Sequence, residues 1–264
     1  MPRFSIVTVT FNNLDGLKRT RETVRAQSFR DFEWLVIDGG SADDTREAMQ
    51  LWQAEIRCGV STPDQGPYDA MNKGLGLAQG EYALFINAGD ALAAPDVLQK
   101  LDWAIGNKVG AVAPDFIYGD SLEEQADGGN YYKAARHHSW RWWGMFTHHQ
   151  AMVYRTKFLK ILSPAYDLRF RVGADLDLAW RILKQTKKVL RVNFAIARCA
   201  RAGISTLHAA HARGEQITMR HEHSHIPALL NVGIMLAQKF IWNLRQKSPQ
   251  LYKLYRLRRS APIS

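Results

Sequence analysis

At 264 residues the chain is long enough for one large α/β domain, or for one domain with an appended subdomain. A hydrophobic share of 46% and eight Trp residues describe an ordinary globular protein and exclude general disorder, except near the C-terminus. The formal charge of +10 asks for an anionic partner: nucleic acid, a membrane surface or a phosphorylated substrate.

Met1-Pro2-Arg3-Phe4 leads straight into a strand pattern without the apolar run of a signal peptide, so the protein is expected in the cytosol. Ser5–Thr10 is a β-branched run that predicts a buried strand ended by Phe11-Asn12-Asn13. Helical spacing through Leu14, Leu17 and Val24 predicts a helix over 14–27, and Phe32–Ile37 a second buried strand. The polar turn Asp38–Thr45 supplies N-cap residues for a helix through Met49 and Trp52. A helix is expected around Asp69–Leu77, a third strand over Tyr82–Ile86 with Asn87-Ala88-Gly89-Asp90 as its terminal loop, and a helix over Pro95–Ile105. This alternation predicts an α/β fold: a Rossmann-like, mostly parallel sheet with helices on both faces. Ligands bind beyond the carboxyl ends of such strands, where Asn12, Asp38 and Asp90 should converge.

Beyond residue 120 the pattern loosens. Residues 121–150, rich in Gly, His and Trp, are expected to form a long loop region shaping a pocket; Asp175–Leu183 predicts a helix and Val189–Val192 a strand. The apolar stretch 227–242 includes Asn231, Gln238 and Lys239, which favours an interfacial or core-packed helix over a membrane span. The last stretch carries Lys239, Arg245, Lys247, Lys253, Arg256, Arg258 and Arg259 without an acid, a pattern that favours an anionic leaflet over nucleic acid. The expected organisation is a first half over 1–120, a second half of the same domain over 121–210, and a basic, apolar helical tail over 211–264. Cys58 and Cys199 form neither a disulfide framework nor a zinc spacing, so a reducing compartment is expected.

Asp90 ends a strand, at the edge where a diphosphate could lie. One carboxylate plus substrate phosphates and water is how Mg²⁺ or Mn²⁺ is usually held, although Asn-Ala-Gly-Asp is equally good turn sequence. Four ordered segments decide the context. Ser5–Asn12 resembles the first strand of family 2 glycosyltransferases, and Ile37-Asp38-Gly39-Gly40-Ser41-Ala42-Asp43-Asp44-Thr45 resembles their Val-Asp-Asp-Gly-Ser-x-Asp-x-Thr. Asp64-Gln65-Gly66-Pro67-Tyr68-Asp69-Ala70-Met71-Asn72-Lys73-Gly74 is similar to a segment of the colanic-acid and exopolysaccharide branch of that family. Ala78-Gln79-Gly80-Glu81-Tyr82 and Phe85–Asp90 resemble its Ala-x-Gly-Glu-Tyr and Asp-x-Asp regions.

The resemblance implies a GT-A fold, with 1–120 as the nucleotide-sugar-binding half and 121–210 as the acceptor-binding half, and an inverting transfer from a nucleotide sugar to a glycan or polyprenyl-diphosphate-linked acceptor. By position, Thr8, Thr10, Phe11 and Asn12 would border the nucleoside, Asp38 and Ser41 would lie near the base, and Asn72, Lys73 and Asn87 would belong to the donor site. Asp90 would hold Mg²⁺ or Mn²⁺. Two departures stand out: Gly39 replaces the second of two adjacent acids, leaving UDP only a preference over GDP or dTDP, and Asp90 is the sole acid of its motif. Gly173-Ala174-Asp175-Leu176-Asp177 resembles the family's Glu-Asp-x-Asp, with Ala174 in place of Glu, and implies Asp175 as the base that deprotonates the acceptor hydroxyl. The alternative for Asp175 is plain N-capping, and Asp177 with Arg181 at i,i+4 can form a local ion pair.

His149 and Gln150 match an acceptor-pocket position, and Trp142, with Trp140 and Trp143, either stacks a sugar ring or packs a core. His208 is the candidate histidine ligand after the base helix; solvated histidines are the alternative. His221-Glu222-His223-Ser224-His225 lacks metalloprotease spacing, and no Gly-x-Gly-x-x-Gly follows the first strand, which disfavours an NAD enzyme. Ala174 and the thinned metal motif leave a second possibility, a catalytically degenerate protein serving as a nucleotide- or glycan-binding scaffold.

Overall fold

The computed structural model describes residues 1–106, 112–125, 128–200 and 209–247. Strands β1 (Phe4–Thr10), β2 (Phe32–Asp38), β3 (Cys58–Ser61) and β4 (Tyr82–Phe85) are parallel, in the order β3-β2-β1-β4. The register sets Thr10 opposite Asp38 and Asp38 opposite Ser61, so three strand ends finish level. The ladder runs past β4, with the amides of Ile86 and Ala88 donating to Val7 and Val9 at 3.0 Å, which carries the chain to Asp90 beside the same edge.

These strands are apolar on both faces because helices cover both. Ile6, Trp34, Val36 and Leu84 pack with Leu17 of α1 (Leu14–Arg25) and Leu101 of α4 (Val97–Gly106). Val7, Leu35, Ile37 and Phe85 face Met71 and Leu75 of α3 (Pro67–Leu77). At Gly74 that helix comes so close that an added Cβ would sit 2.4 Å from a Val7 methyl. Between the first two elements on this edge, α2 (Thr45–Leu51) packs Ala48 and Met49 inward.

The second half continues the same sheet as β8-β6-β9-β5, with β8 (Met152–Arg155) antiparallel to β4 and to β6 (Phe116–Glu124), β6 parallel to β9 (Val189–Cys199), and the two-residue β5 (Ala91–Leu92) antiparallel to β9. Short helix α5 (Thr156–Ile161) follows β8, and α6 (Ala174–Gln185) precedes β9. Region 121–150 departs from the expected loop. Its start completes β6, which pairs with β7 (Asn130–Lys133), and 3-10 turns at His138–Trp142 and His149–Ala151 follow. The β6–β7 ribbon is half-exposed and polar, so it lacks the apolar run that betrays a buried strand. β6 also crosses residue 120, the expected boundary between halves. β3 was not anticipated, and β9 extends well past Val192; both are only partly buried.

Two C-terminal helices, α7 (Ala209–Ser224) and α8 (Ala228–Lys247), pack against this half. Asp177 anchors α7: it accepts from His223 Nε2 at 2.7 Å and from Arg181 Nε at 2.8 Å, so the expected i,i+4 pair forms and is shared across helices. Among the described residues, no helix is long and apolar enough to cross a membrane.

Candidate active site

The loops after β1 and β2 are stitched together. Asn12 has a left-handed backbone (φ 47°); its amide donates to Ser41 Oγ at 2.7 Å and its side-chain oxygen accepts from Ala42 N at 2.8 Å. Asp38 organises the same turn, accepting from the Ser41 amide and hydroxyl and from Ser61 Oγ at 2.7 Å. It has no exposed surface, whereas Phe11 is 62% exposed at the strand tip, an open apolar face beside the edge. Thr10 is buried there with its hydroxyl unpartnered. Thr8, expected to border the nucleoside, lies wholly inside the sheet, accepting from the Trp34 indole at 3.0 Å.

Asp64 is a residue that the sequence did not single out. A Cβ on Gly39 would come within 2.7 Å of its Oδ2. The missing side chain at position 39 thus makes room for a carboxylate delivered from the loop before α3. Asn72 and Lys73, expected in the donor site, are both engaged in holding loops. Asn72 clamps the backbone of Tyr166 in both directions (2.8 and 2.9 Å), and Lys73 Nζ donates to the Pro63 carbonyl at 3.0 Å and pairs with Asp69.

Asp90 is held from three sides. Its carbonyl lies 2.6 Å from Thr20 Oγ1 on α1, its Oδ1 accepts from Ala200 N at 2.8 Å, and its Oδ2 accepts from Gln150 Nε2 at 2.5 Å. Gly89 (φ 99°) makes the turn with a conformation that L side chains avoid. Burial pushes the Asp90 carboxyl up to about 6, against the pull of these hydrogen bonds. Two buried amide oxygens, Asn87 Oδ1 and Gln150 Oε1, have no protein partner. An acid that is costly to ionise, with unsatisfied oxygens on the same motif and on its own hydrogen-bond partner, fits a hard divalent cation. Among the described residues no group of three or more His, Cys, Asp or Glu is placed to hold a metal ion, and His208 lies outside them.

Asp175 stands at the start of α6 with its side chain 13% exposed. Its Oδ1 accepts from Leu176 N at 2.8 Å, and burial raises its carboxyl to about 6. Tyr68 from α3 reaches the same place, donating to the Val172 carbonyl at 2.7 Å. The remaining link is the dipeptide expected at the acceptor. His149 Nδ1 lies 3.7 Å from Asp175 Oδ2 and its Nε2 is 3.3 Å from Asn87 Nδ2. Burial holds this imidazole down to about 3, so it is neutral. With Nε2 accepting from the Asn87 amide, the ring proton sits on Nδ1, facing the Asp175 carboxylate. His149 and Gln150 therefore hold the Asp90 loop and bring it beside Asp175. Trp142 is partly buried and stacked on Trp140 (5.5 Å between centroids, 23°), which is the more exposed of the two.

Glu215 on α7 was also missed. Its buried carboxylate accepts from the amides of Arg171 (2.6 Å) and Gly173 (2.8 Å), immediately before Ala174, and it adds to the upward shift of Asp175. The family's Glu position is Ala174, and a carboxylate 41 positions later in the chain caps that turn instead.

The sequence pattern of glycosyl transferase family 2 matches residues 5–162, more than half of the chain. The chain belongs to that family. It is 32% identical over 203 residues to the PGL/p-HBAD biosynthesis glycosyltransferase of Mycobacterium bovis, covering 72% of this chain and 73% of the relative. A shorter match, 33% over 96 residues, covers 35% of this chain and 31% of the GalNAc(5)-diNAcBac-PP-undecaprenol beta-1,3-glucosyltransferase of Campylobacter jejuni. The GT-A-like fold of this family 2 glycosyltransferase is shared with S. aureus TarS 1-349 in complex with UDP (TM-score 0.65, 15% identity, 100% of this chain and 76% of that one). It is shared too with the mannosyltransferase PcManGT of Pyrobaculum calidifontis in complex with GDP-Man and Mn²⁺ (TM-score 0.64, 13% identity, 99% and 76%).

Proposed function

We propose that this glycosyltransferase moves a sugar, with inversion, from a nucleotide sugar to a hydroxyl of a glycan or polyprenyl-diphosphate-linked glycan used in cell-surface polysaccharide. A UDP-sugar is the preferred donor, with GDP- and dTDP-sugars as the others to test. The name of the Campylobacter relative, with its PP-undecaprenol, supports a saccharide acceptor carried on a lipid, and TarS with UDP and PcManGT with GDP-Man support a nucleoside-diphosphate donor. The observation that carries the reading is Asp175: a largely buried carboxylate raised to about 6, with His149 of the turn that reaches the Asp90 loop 3.7 Å away.

In this reading the Asp175 carboxylate takes the proton of the acceptor hydroxyl. The oxygen then bonds to the anomeric carbon from the face opposite the diphosphate, the sugar–phosphate bond breaks, and the nucleoside diphosphate leaves with the bonding electrons. A base with a carboxyl near 6 is ionised at neutral pH yet more basic than an exposed Asp. The neutral His149 borders it without neutralising it. Asp90, with the amide oxygens of Asn87 and Gln150, would hold Mg²⁺ or Mn²⁺, which when bound supplies positive charge to the departing diphosphate. Phe11 offers its ring to the base or ribose, and Asp64 beside Gly39 takes the place of the absent second acid.

The test is a panel of UDP-, GDP- and dTDP-sugars with Mg²⁺ or Mn²⁺, read by thermal shift and by donor hydrolysis. One donor should protect the protein and be slowly hydrolysed, and Asp175→Asn should keep the protection while losing at least about 10²-fold in turnover. Asp90→Ala should lose the metal-dependent part of the protection. Nucleotide protection with no turnover by the unaltered protein, for any donor or lipid-linked acceptor, would instead favour a binding scaffold.

A further inference from the structure

Helix α8 packs with its polar side inward. Asn231 is buried, accepting from Arg220 Nε at 2.5 Å and donating to the Ile217 carbonyl at 3.0 Å, and Gln238 donates to Gln216 Oε1 at 2.8 Å and to the Trp143 carbonyl. Ile234 between them is the buried apolar contact of that face. The opposite face carries Leu229, Val232, Leu236 and Phe240, at i, i+3, i+7 and i+11, one continuous stripe about 16 Å long. Leu229 is 90% exposed, Leu236 55% and Phe240 68%. A helix that uses amides to grip its own protein and offers Leu and Phe outward is the inverse of an ordinary surface helix. Among the described residues nothing covers this stripe, and a stripe of this kind calls for an apolar phase.

The charge pattern says which. Glu222 is the last acid in the chain, and from Lys239 to the C-terminus there are seven Lys and Arg residues. Lys239 lies exposed on the flank of the stripe. A second copy docking stripe to stripe would bring two acid-free basic segments together, whereas an anionic bilayer offers acyl chains to the leucines and headgroups to the cations. We propose that α8 lies in the plane of an anionic lipid surface, with Leu229, Val232, Leu236 and Phe240 inserted and Lys239 at the headgroups. This is independent of the sugar-transfer reading, since α8 contributes nothing to the Asp90–Asp175 site, and it would hold the enzyme at the surface where a lipid-carried acceptor resides.

The test is co-sedimentation of the full-length protein with vesicles of phosphatidylcholine alone or with phosphatidylglycerol added, alongside sedimentation velocity without lipid. The unaltered chain should follow the anionic vesicles, less so at high salt, and remain monomeric without lipid. Leu236→Ser with Phe240→Ser should lower vesicle partition by about tenfold or more with an unchanged melting temperature and unchanged donor hydrolysis. Lys239→Glu, a single surface change on the same flank, should lower it by about threefold or more for anionic vesicles. The idea fails if the unaltered protein stays in the supernatant with anionic vesicles, or if both variants sediment as it does. A lipid-free dimer that the Ser variant converts to monomer would overturn it in favour of a second copy.

Discussion

Asp175 shows what the site costs the fold. Its carboxyl, near 3.8 when unperturbed, is raised to about 6 in the folded protein because burial penalises its charge. Through pH 4 to 6 the unfolded chain ionises this group before the folded one does, so its contribution to stability falls across that window and stays lowered above it. Asp175→Asn removes the penalty while keeping an oxygen to accept from Leu176 N. The variant should therefore melt higher than the unaltered protein at pH 8, by up to about 2 kcal/mol, with the difference shrinking toward pH 4. Scanning calorimetry at the two pH values checks it; an Asn variant less stable at pH 8 would mean that the carboxylate is stabilised where it stands. For the unaltered enzyme kcat/KM should rise with pH and level off above about 6, because the base must be ionised.

At the scale of elements, the start of α6 depends on α7. Glu215 gathers the amides of the turn that delivers Asp175, and its charge helps to keep the Asp175 carboxyl high; His211, Tyr68 and His149 are the other polar or titratable groups around these two acids. Glu215→Gln keeps an acceptor for the turn but removes the charge, so the acid limb of the kcat/KM profile should move to lower pH, with kcat falling several-fold as the base weakens. Glu215→Ala also strands buried N–H groups and should cost about 1–3 kcal/mol in chemical denaturation. If the Gln variant loses stability without moving the pH limb, Glu215 is only a cap. This pairing of helices was not legible in the sequence. Ala174 marked where an acid was missing, but nothing in a linear pattern says that residue 215 returns to the same turn. Gly39 and Asp64 pose the same problem, two positions joined only by the closeness of loops.

Across the whole molecule, legibility followed burial. β1, β2 and β4 are covered on both faces and so appear as unbroken apolar runs, which is why their ends, and Asp90 with them, could be placed from sequence. β7 and the far ends of β6 and β9 are half-exposed and mixed in polarity, and there the periodicity gave no guidance, while the buried start of β6 and the buried β8 were not anticipated either. Thr8 shows a related limit: its strand position was legible, but not which indole would claim its hydroxyl. The join between the halves lies at the 3-10 turn of His149–Ala151, which reaches Asn87 and Asp175 with one side chain and Asp90 with the next. Because these contacts sit on adjacent residues, donor side and base side should separate under mutation. Gln150→Ala removes the amide that donates to the buried Asp90 carboxylate, leaving an acid that already resists ionisation harder still to ionise. The divalent-ion concentration for half-maximal thermal protection by the donor should rise about tenfold, equivalent to one lost charge-assisted hydrogen bond. Measured with the divalent ion saturating, so that Asp90 is ionised throughout, the acid limb set by Asp175 should stay near 6. A shift of that limb together with the metal requirement would mean that the turn moves as one piece, and that the two carboxylates answer to a single structural change.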